Sequence, residues 1–192
     1  DCLKHCEYLR LNRDVGLTHD EDRERPGYTA AGALAGLRSC LGAQDSSYQE
    51  AIWGWYASIW HAVPMLKPAI TKVGVAFRNG ISMLCFYDAH DFRSPLAHPA
   101  DGAVDVPCRF AQGGELPNPL GDRPGLGDGC GFPVLVCLPS NLADLKVTTF
   151  RMFDPKGRVV VGKASSPAAP ANPAEWPTNS GCAAFLPYAA LA

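Results

Sequence analysis

Eight cysteines in a chain of 192 residues limit the folds open to this protein. An even number this high is unusual in a reducing compartment and typical of exported proteins whose cysteines pair as disulfides. No two of them have C-x-x-C spacing, so the signatures of a zinc ribbon, a thioredoxin-like site and c-type haem attachment are missing. We therefore expect disulfide bonds, and the candidates are Cys2, Cys6, Cys40, Cys85, Cys108, Cys130, Cys137 and Cys182.

The cysteines divide evenly along the chain, four before residue 90 and four after it. Each half can therefore close two bridges internally, although four cysteines allow three pairings and the spacing does not choose among them. Because the first residue is Asp1 and not Met, we expect that a signal sequence or a longer pro-segment has been removed. The predicted location is secreted, extracellular, or at the periplasm or cell surface.

Charge and hydropathy exclude several classes of partner. The chain carries 17 basic and 19 acidic residues, a formal net charge of −2, which predicts neither nucleic-acid binding nor a polybasic membrane anchor. The longest apolar run, 133–138, is far shorter than the roughly 20 residues that span a bilayer, so we do not expect a membrane-spanning protein. The 19 glycines and 17 prolines favour a turn-rich fold over a helical bundle.

Two segments of the first half have helical patterns. Apolar positions recur every three to four residues over 2–13, which predicts a helix that ends near Gly16. Ser47 and Glu50 have the S-x-x-E spacing of a capping box, and the apolar run after them predicts a helix over about 48–62.

A β-hairpin is predicted over 72–87. Asn79-Gly80 suits a type I′ turn, because both central residues of that turn need a positive φ. Alternation with a period of two on both sides of the turn predicts one buried face. Its two facing rows would be Val73, Val75 and Phe77 on one strand, and Ile81, Met83 and Cys85 on the other.

Prolines interrupt the second half so often that only short extended pieces remain between them. The segment 154–157 is a predicted type I turn, with Pro155 at its second and Gly157 at its fourth position. His98 is expected to be solvated, and 167–178 to be a proline- and alanine-rich loop. We expect strands at 104–110, 132–138, 144–153 and 158–162.

Several short segments stand in an order typical of one family. In the first half they are H-C-x-Y-L-x-x-N at 5–12, H-x-E at 19–21, P-G-Y-T-A-A-G at 26–32, W-x-x-S-x-x-H at 55–61, P-x-L-x-P at 64–68 and V-G-V-A-F at 73–77. Together they resemble the bacterial branch of the CAP superfamily, which includes cysteine-rich secretory proteins, antigen 5 and pathogenesis-related proteins. Later segments resemble the β-sandwich tail that follows such domains in exported bacterial proteins: D-G at 101–102, E-L-P-N-P at 115–119 and G-F-P-V at 131–134.

The fold class implied by this resemblance is α+β, a CAP-like α-β-α sandwich followed by a small all-β sandwich domain of immunoglobulin-like type. The CAP-like domain would occupy 1–88, a linker 89–100, and the proline-rich β-sandwich domain 101–192. The family's opening helix has no counterpart before 2–13, so we expect that part of the native chain is missing.

The resemblance also implies a candidate metal site. Many CAP domains line a cleft with two histidines and two acidic residues, a donor set suited to a divalent ion. The histidines fall on His19 and His61, whereas the two glutamates fall near Ala33 and Ser58, which cannot supply a carboxylate. Glu21 could substitute. The implied set is therefore His19, Glu21 and His61, which could hold Zn²⁺ or Ca²⁺, although the fold requires no cofactor. The competing interpretation is a hydrogen-bonded His61 at a helix end and a His19 that faces solvent.

Two further groups of residues invite a functional interpretation. Ser58 and His61 are three residues apart and could act as nucleophile and base, but the sequence identifies no oxyanion donors. His5 is interpreted as structural, because candidate disulfide cysteines flank it.

The predicted helix over 48–62 is rich in aromatic residues. Core packing explains most aromatic residues on a helix, and the more specific interpretation is a binding surface for a glycan, lipid or protein. The aromatic candidates are Trp53, Trp55, Tyr56 and Trp60, whose spacing cannot place them all on one face.

These observations favour a non-catalytic binding or structural protein, such as a subunit of an extracellular or cell-surface assembly. Its partners would be other protein subunits or cell-surface glycan, and not nucleic acid. We favour a non-catalytic role because half of the family's cleft ligands are lost in this sequence while the cysteines are plentiful. Two alternatives stay open: a CAP-type metal-assisted hydrolase, and a protein that binds a small apolar ligand, lipid or sterol, between its first two helices.

Overall fold

Helices and strands both form in this chain, so the fold is of mixed α and β type, as the sequence predicts. The chain divides into two units, Asp1–Trp55 with Lys67–His90 (unit 1), and Tyr56–Leu66 with Asp91–Ala192 (unit 2). The computed structural model describes residues 1–44, 46–66, 70–87, 95–110, 118–119, 130–139, 145–172 and 181–191.

Unit 1 begins with helix α1, Cys2–Leu11, followed by a 3-10 turn at Arg13–Val15 that ends at Gly16 with φ 70°. The predicted helix over 2–13 is thereby confirmed in its main part. Leu3 and Leu11 are exposed, because they lie off the apolar face. That face repeats at intervals of three and four and consists of Cys2, His5, Cys6, Tyr8 and Leu9.

A three-stranded antiparallel sheet forms the centre of unit 1. Its strands are β1 (Ser39–Ala43), β2 (Val73–Arg78) and β3 (Ile81–Phe86), in the order β1-β3-β2. The predicted turn between β2 and β3 is confirmed, with φ 54° at Asn79 and 74° at Gly80. Helix α1 and the short helix α2, Ala30–Gly36, contact the sheet, and apolar side chains from both enter one core with it.

The predicted facing rows of the hairpin are wrong by one residue. A two-residue turn pairs Arg78 with Ile81, so the register places Val75 opposite Leu84 and Ala76 opposite Met83. The buried face therefore carries Ala76, Met83 and Cys85. The other row of β2 is exposed, with 50 % of Val73, 58 % of Val75 and 43 % of Phe77 accessible to solvent.

The predicted helix over 48–62 is two helices, α3 (Tyr48–Tyr56) and α4 (Ala62–Leu66). Pro64 lies in the first turn of α4, where its missing N–H has no intrahelical acceptor to lose. At the start of α3, Ser47 Oγ accepts a hydrogen bond from the Glu50 N–H at 3.1 Å, as a capping box requires. The Glu50 carboxylate, however, accepts from Ser46 N–H at 2.8 Å rather than from Ser47.

Unit 2 is built mainly from short antiparallel strands. A four-stranded sheet has the order β4-β7-β9-β8, and a two-stranded ladder pairs β5 with β6. The core between them also contains Ile59, Ala62 and Val63, which come from the segment before β2. The strands are β4 (Leu96–His98), β5 (Arg109–Phe110), β6 (Cys130–Gly131), β7 (Val134–Cys137), β8 (Gly162–Ser165) and β9 (Cys182–Pro187).

The strand predictions for the second half are met only in part. The prediction over 132–138 is confirmed as β7, and that over 104–110 shrinks to β5. The strands predicted over 144–153 and 158–162 pair, in the described residues, through a single antiparallel bridge between Phe153 and Val159. The predicted turn between them is confirmed, because Gly157 N–H donates to Asp154 O at 2.9 Å.

Two segments predicted to lack regular structure fall partly outside the described residues. Residues 89–94 of the predicted linker lie outside them, and its later part contains β4. Residues 173–178 of the predicted loop also lie outside them, whereas Ser166 and Ala169 form an isolated bridge.

Candidate functional site

A buried histidine–carboxylate pair joins α1 to the loop that follows it. His5 Nδ1 lies 2.9 Å from Glu21 Oε1, and both side chains are 0 % exposed. His5 Nε2 lies 3.0 Å from the carbonyl oxygen of Thr18. A carbonyl oxygen can only accept, so Nε2 carries a hydrogen and donates it. The hydrogen bond between Nδ1 and Glu21 Oε1 needs a second proton, which is bound either to Nδ1 or to the carboxyl group. The pair has no net charge in either case.

The second carboxylate oxygen of Glu21 is also engaged. Glu21 Oε2 accepts a hydrogen bond from the Thr29 N–H at 3.0 Å, immediately before α2. Thr29 in turn caps that helix, since its Oγ1 accepts from the Gly32 N–H at 2.9 Å. Glu21 therefore links α1 to the start of α2, and both of its oxygens have partners within the protein.

Two glycines let α2 approach this pair. A Cβ atom at Gly32 would lie 2.5 Å from Glu21 Oε1, and one at Gly36 would lie 2.6 Å from His5 Cε1. Contacts this short do not occur for real Cβ atoms, so any larger residue would displace the pair or the helix. The glycines are four residues apart and thus lie on the same face of α2.

Two other polar residues, Tyr8 in α1 and Asn12 directly after it, hold the same loop. Tyr8 Oη accepts a hydrogen bond from the Asp22 N–H at 2.9 Å. Asn12 Nδ2 donates to the carbonyl of Pro26 at 2.9 Å, and also to Tyr8 O at 2.8 Å. Together with His5, these residues account for the polar positions of the H-C-x-Y-L-x-x-N segment, which therefore tethers the loop over 18–29.

The residues of the predicted metal site, His19, Glu21 and His61, divide between the two units. His19 is exposed and its Nδ1 lies 2.8 Å from Gly36 O, so that nitrogen donates to the carbonyl. Glu21 points to His5 and Thr29 instead, and His61 belongs to unit 2. In the part of the chain that the structure describes, no group of three or more His, Cys, Asp or Glu side chains could hold a metal ion.

The serine and histidine considered as nucleophile and base do meet in unit 2. Ser58 Oγ lies 3.2 Å from His61 Nδ1 between α3 and α4. A nucleophile has to reach its substrate, and Ser58 is only 4 % exposed. The contact is therefore better suited to closing the turn between the two helices than to attacking a substrate.

The four aromatic candidates do not form one surface. Trp55 is 4 % exposed and its Nε1 donates to Leu41 O at 3.1 Å, so the prediction that it lies on a binding surface is wrong. Trp53 is 55 % exposed, which agrees with its position two residues away on the opposite side of α3. Trp60 is partly buried against the core of unit 2. Tyr56 packs its ring edge against the His98 ring, with 4.3 Å between centroids.

His98 is buried, contrary to the expectation that it is solvated. It is 2 % exposed on β4, and its Nε2 donates to Tyr56 O at 3.0 Å. Burial lowers the pKa of His98, and the hydrogen bond to the Tyr56 carbonyl acts in the opposite direction. Sequence spacing could not reveal this, because the partner carbonyl lies more than 40 residues earlier in the chain.

The expectation of disulfides is met at one pair in unit 2. Cys137 and Cys182 lie directly opposite each other on β7 and β9, with 4.0 Å between their Cα atoms, and form a disulfide. Three further cysteines, Cys2, Cys6 and Cys85, lie in the core of unit 1. The remaining three are the buried Cys40 and Cys130 and the exposed Cys108.

Sequence reasoning identified Glu21 but not its partner. His5 lies on the buried face of α1 with Cys2, Cys6 and Leu9, and a histidine on such a face needs a polar partner. The position of His5 on the buried face of α1 is therefore the sequence feature that could have indicated the pair with Glu21.

Comparisons with known protein families, with curated proteins and with solved structures found no match. None of the helices in the described part of the chain is long and apolar enough to cross a membrane.

Proposed function

We propose that this protein is an exported, disulfide-bonded binding or structural protein without catalytic activity, and that it works as a subunit of an extracellular or cell-surface assembly. In this proposal, unit 1 is a divergent CAP-like α-β-α domain and unit 2 an immunoglobulin-like β-sandwich. The partner is another protein subunit or a cell-surface glycan.

The observation that carries the proposal is how the ionisable residues of unit 1 are used. His5, Glu21 and Thr29 satisfy one another inside the protein, and Tyr8 and Asn12 bind the same loop. Groups that would bind a metal or move protons in a cleft thus work here as structural supports. The arrangement favours a rigid scaffold, which suits recognition by its surface.

The CAP-like interpretation has support from the layering of unit 1. Helices α1 and α2 pack on one face of the three-stranded sheet. Trp55 of α3 hydrogen-bonds to the edge strand β1.

The test is isolation of the protein from its source without denaturant. We expect it to elute with a stoichiometric partner, at a mass above that of the 20.5 kDa chain. A free monomer that hydrolyses ester or peptide substrates would contradict the proposal if Ser58→Ala and His61→Ala abolish the activity. Ser47→Ala is the matched control, because Ser47 only caps α3.

A second candidate function, binding of a small apolar ligand, is favoured by a cleft in unit 2. The cleft has a volume of about 470 Å³, within the range typical of ligand sites. Its lining includes Met152, Phe153, Val160, Val161 and Leu191. Solvent extraction of the isolated protein followed by mass spectrometry should release the ligand, and Met152→Trp, which fills the cleft, should not. An extract of the unaltered protein that contains no ligand excludes this function.

A further inference from the structure

Two sulfur atoms meet where α1 reaches the sheet of unit 1. Cys2 is the first residue of α1, and Cys85 lies on the central strand β3, directly opposite Gly74 on β2. A Cβ atom at Gly74 would lie only 2.8 Å from Cys2 Sγ. Facing positions of an antiparallel pair hold their side chains about 5 Å apart. The missing side chain of Gly74 therefore leaves the space in which the Cys2 sulfur sits beside Cys85.

Hydrogen bonding between the two thiols is asymmetric. The contact with the Cys85 side chain lowers the pKa of Cys2, burial acts in the opposite direction, and the side chain of Tyr87 lowers the pKa again. The same contact is the main cause of the raised pKa of Cys85; burial raises this pKa further, and the side chain of Tyr87 lowers it. Both side chains are free thiols in this structure. Cys2 is thus the member of the pair that ionises first.

We infer that Cys2 and Cys85 form a disulfide that ties the start of α1 to the central strand of unit 1. This inference goes beyond the proposed function, since it assigns one pairing and the order in which its sulfurs react. It rests on contacts within unit 1 and on neither export nor the family resemblance.

The bond forms by exchange with a small disulfide oxidant of the glutathione disulfide class. The Cys2 thiolate attacks one sulfur of the oxidant, so that a mixed disulfide forms and one oxidant thiolate leaves and takes up a proton. Cys85 then loses its proton and attacks the Cys2 sulfur, which releases the second oxidant thiolate. The two protein thiols are oxidised, and the oxidant is reduced to two thiols.

The other cysteines of unit 1 are poorer partners. Burial raises the pKa of the Cys6 thiol to about 11, so it forms a thiolate much less readily than Cys2. Cys40 pairs with Leu84 in the register of β1 and β3, next to the position at which Ser39 faces Cys85. Since side chains alternate along a strand, Cys40 lies on the sheet face opposite to that of Cys85.

The first test maps the bonds in the full chain. The reduced protein is equilibrated with glutathione disulfide, remaining thiols are alkylated, and peptides are identified by mass spectrometry without reduction. We expect a linked peptide pair containing Cys2 and Cys85. Linkage of Cys85 to Cys6 or Cys40, or alkylation of both Cys2 and Cys85, overturns the inference.

The second test compares the two thiols while both are present. In the reduced, unaltered protein, a brief pulse of iodoacetamide near neutral pH should alkylate Cys2 at least about tenfold more than Cys85, because the more acidic thiol supplies the reactive thiolate. Cys6→Ala is the matched control and should show the same preference. Equal or reversed labelling of Cys2 and Cys85 overturns the assigned order.

Thermal unfolding of the oxidised proteins checks the bond in another way. Cys2→Ala, Cys85→Ala and the double variant should all lower Tm by the same amount, about 10 °C, because each removes one and the same cross-link. A double variant whose loss equals the sum of the single losses would show that the two cysteines act separately, and this also overturns the inference.

Discussion

The two units hold their distant segments together by different means. In unit 1, the loop over 18–29 is anchored to α1 by a buried neutral pair, His5 with Glu21, and by two glycines that permit close contact. In unit 2, β7 is joined to β9 by the disulfide between Cys137 and Cys182. A buried polar network depends on every member being satisfied, whereas a covalent cross-link acts mainly by limiting the unfolded chain. The units should therefore respond differently to single substitutions.

The largest effect is expected at the cross-link of unit 2. Cys137→Ala removes a bond between residues 45 positions apart, which should lower the stability of unit 2 by about 4 kcal/mol in the chain-entropy account. Hydrogen exchange of β7 and β9 peptides measures it. The matched control is Cys108→Ala, an exposed position that should change exchange little. If Cys137→Ala and Cys108→Ala lose the same protection from exchange, the disulfide does not stabilise unit 2.

The next effect is expected at the polar pair of unit 1. Glu21→Ala leaves His5 buried without its partner and frees the Thr29 N–H, so we expect a loss of about 3 kcal/mol. Asp20→Ala removes an exposed carboxylate from the same loop and serves as control. Urea unfolding followed by hydrogen exchange of peptides from α1 and β3 reports on unit 1. A loss below about 0.5 kcal/mol in Glu21→Ala would show that the pair does not anchor the loop.

A pair of glycine substitutions separates close contact from helix propensity. Gly36→Ala places a Cβ 2.6 Å from His5 Cε1 and should destabilise unit 1 by about 2 kcal/mol. Gly54→Ala, within α3, meets nothing within 4 Å and should be stabilising by about 0.5 kcal/mol, since alanine favours the helix. The two changes should have opposite signs in the same urea experiment. If Gly36→Ala and Gly54→Ala both stabilise the protein, the close contact between α2 and His5 does not limit residue size at Gly36.

The smallest expected effect is a pH dependence in unit 2. The pKa of His98 is lowered by burial from its ordinary value of 6.5, so the unfolded chain binds a proton that the folded chain resists. Stability should therefore be unaffected above about pH 6.5 and fall as the pH drops below it, by up to about 1.4 kcal/mol per pH unit. His98→Gln should flatten this slope in urea titrations at pH 7 and pH 5. An unchanged slope would mean that His98 is protonated in the folded unit.

Local patterns were predicted well because they depend on neighbouring residues. The type I′ turn at Asn79-Gly80 follows from the positive φ that the two residues tolerate. The start of α3 follows from the cap at Ser47. In the hairpin, the turn and the buried β3 row with Met83 and Cys85 were predicted correctly. The β2 row that faces it was wrong, because the two-residue turn places Ala76 opposite Met83.

The strands of unit 2 were harder to predict than those of the hairpin. β9 pairs with β7 and β8, and its burial on all six positions comes from elements far away in the chain. β1, S-C-L-G-A, has little alternation of its own and is a strand because β3 pairs with it. Strand formation of this kind depends on the partner, and single-strand propensity is weak.

The candidate site shows the same division between local and distant causes. The sequence alone determined the residue types, the apolar face of α1, and a loop that carries His19 and Glu21. Only the tertiary structure decided that Glu21 turns to His5 and Thr29, because a buried carboxyl group takes the partners that folding brings within hydrogen-bond distance. Cysteine pairing has the same physical origin. Spacing allowed three pairings in each half, and the strand register placed Cys137 opposite Cys182.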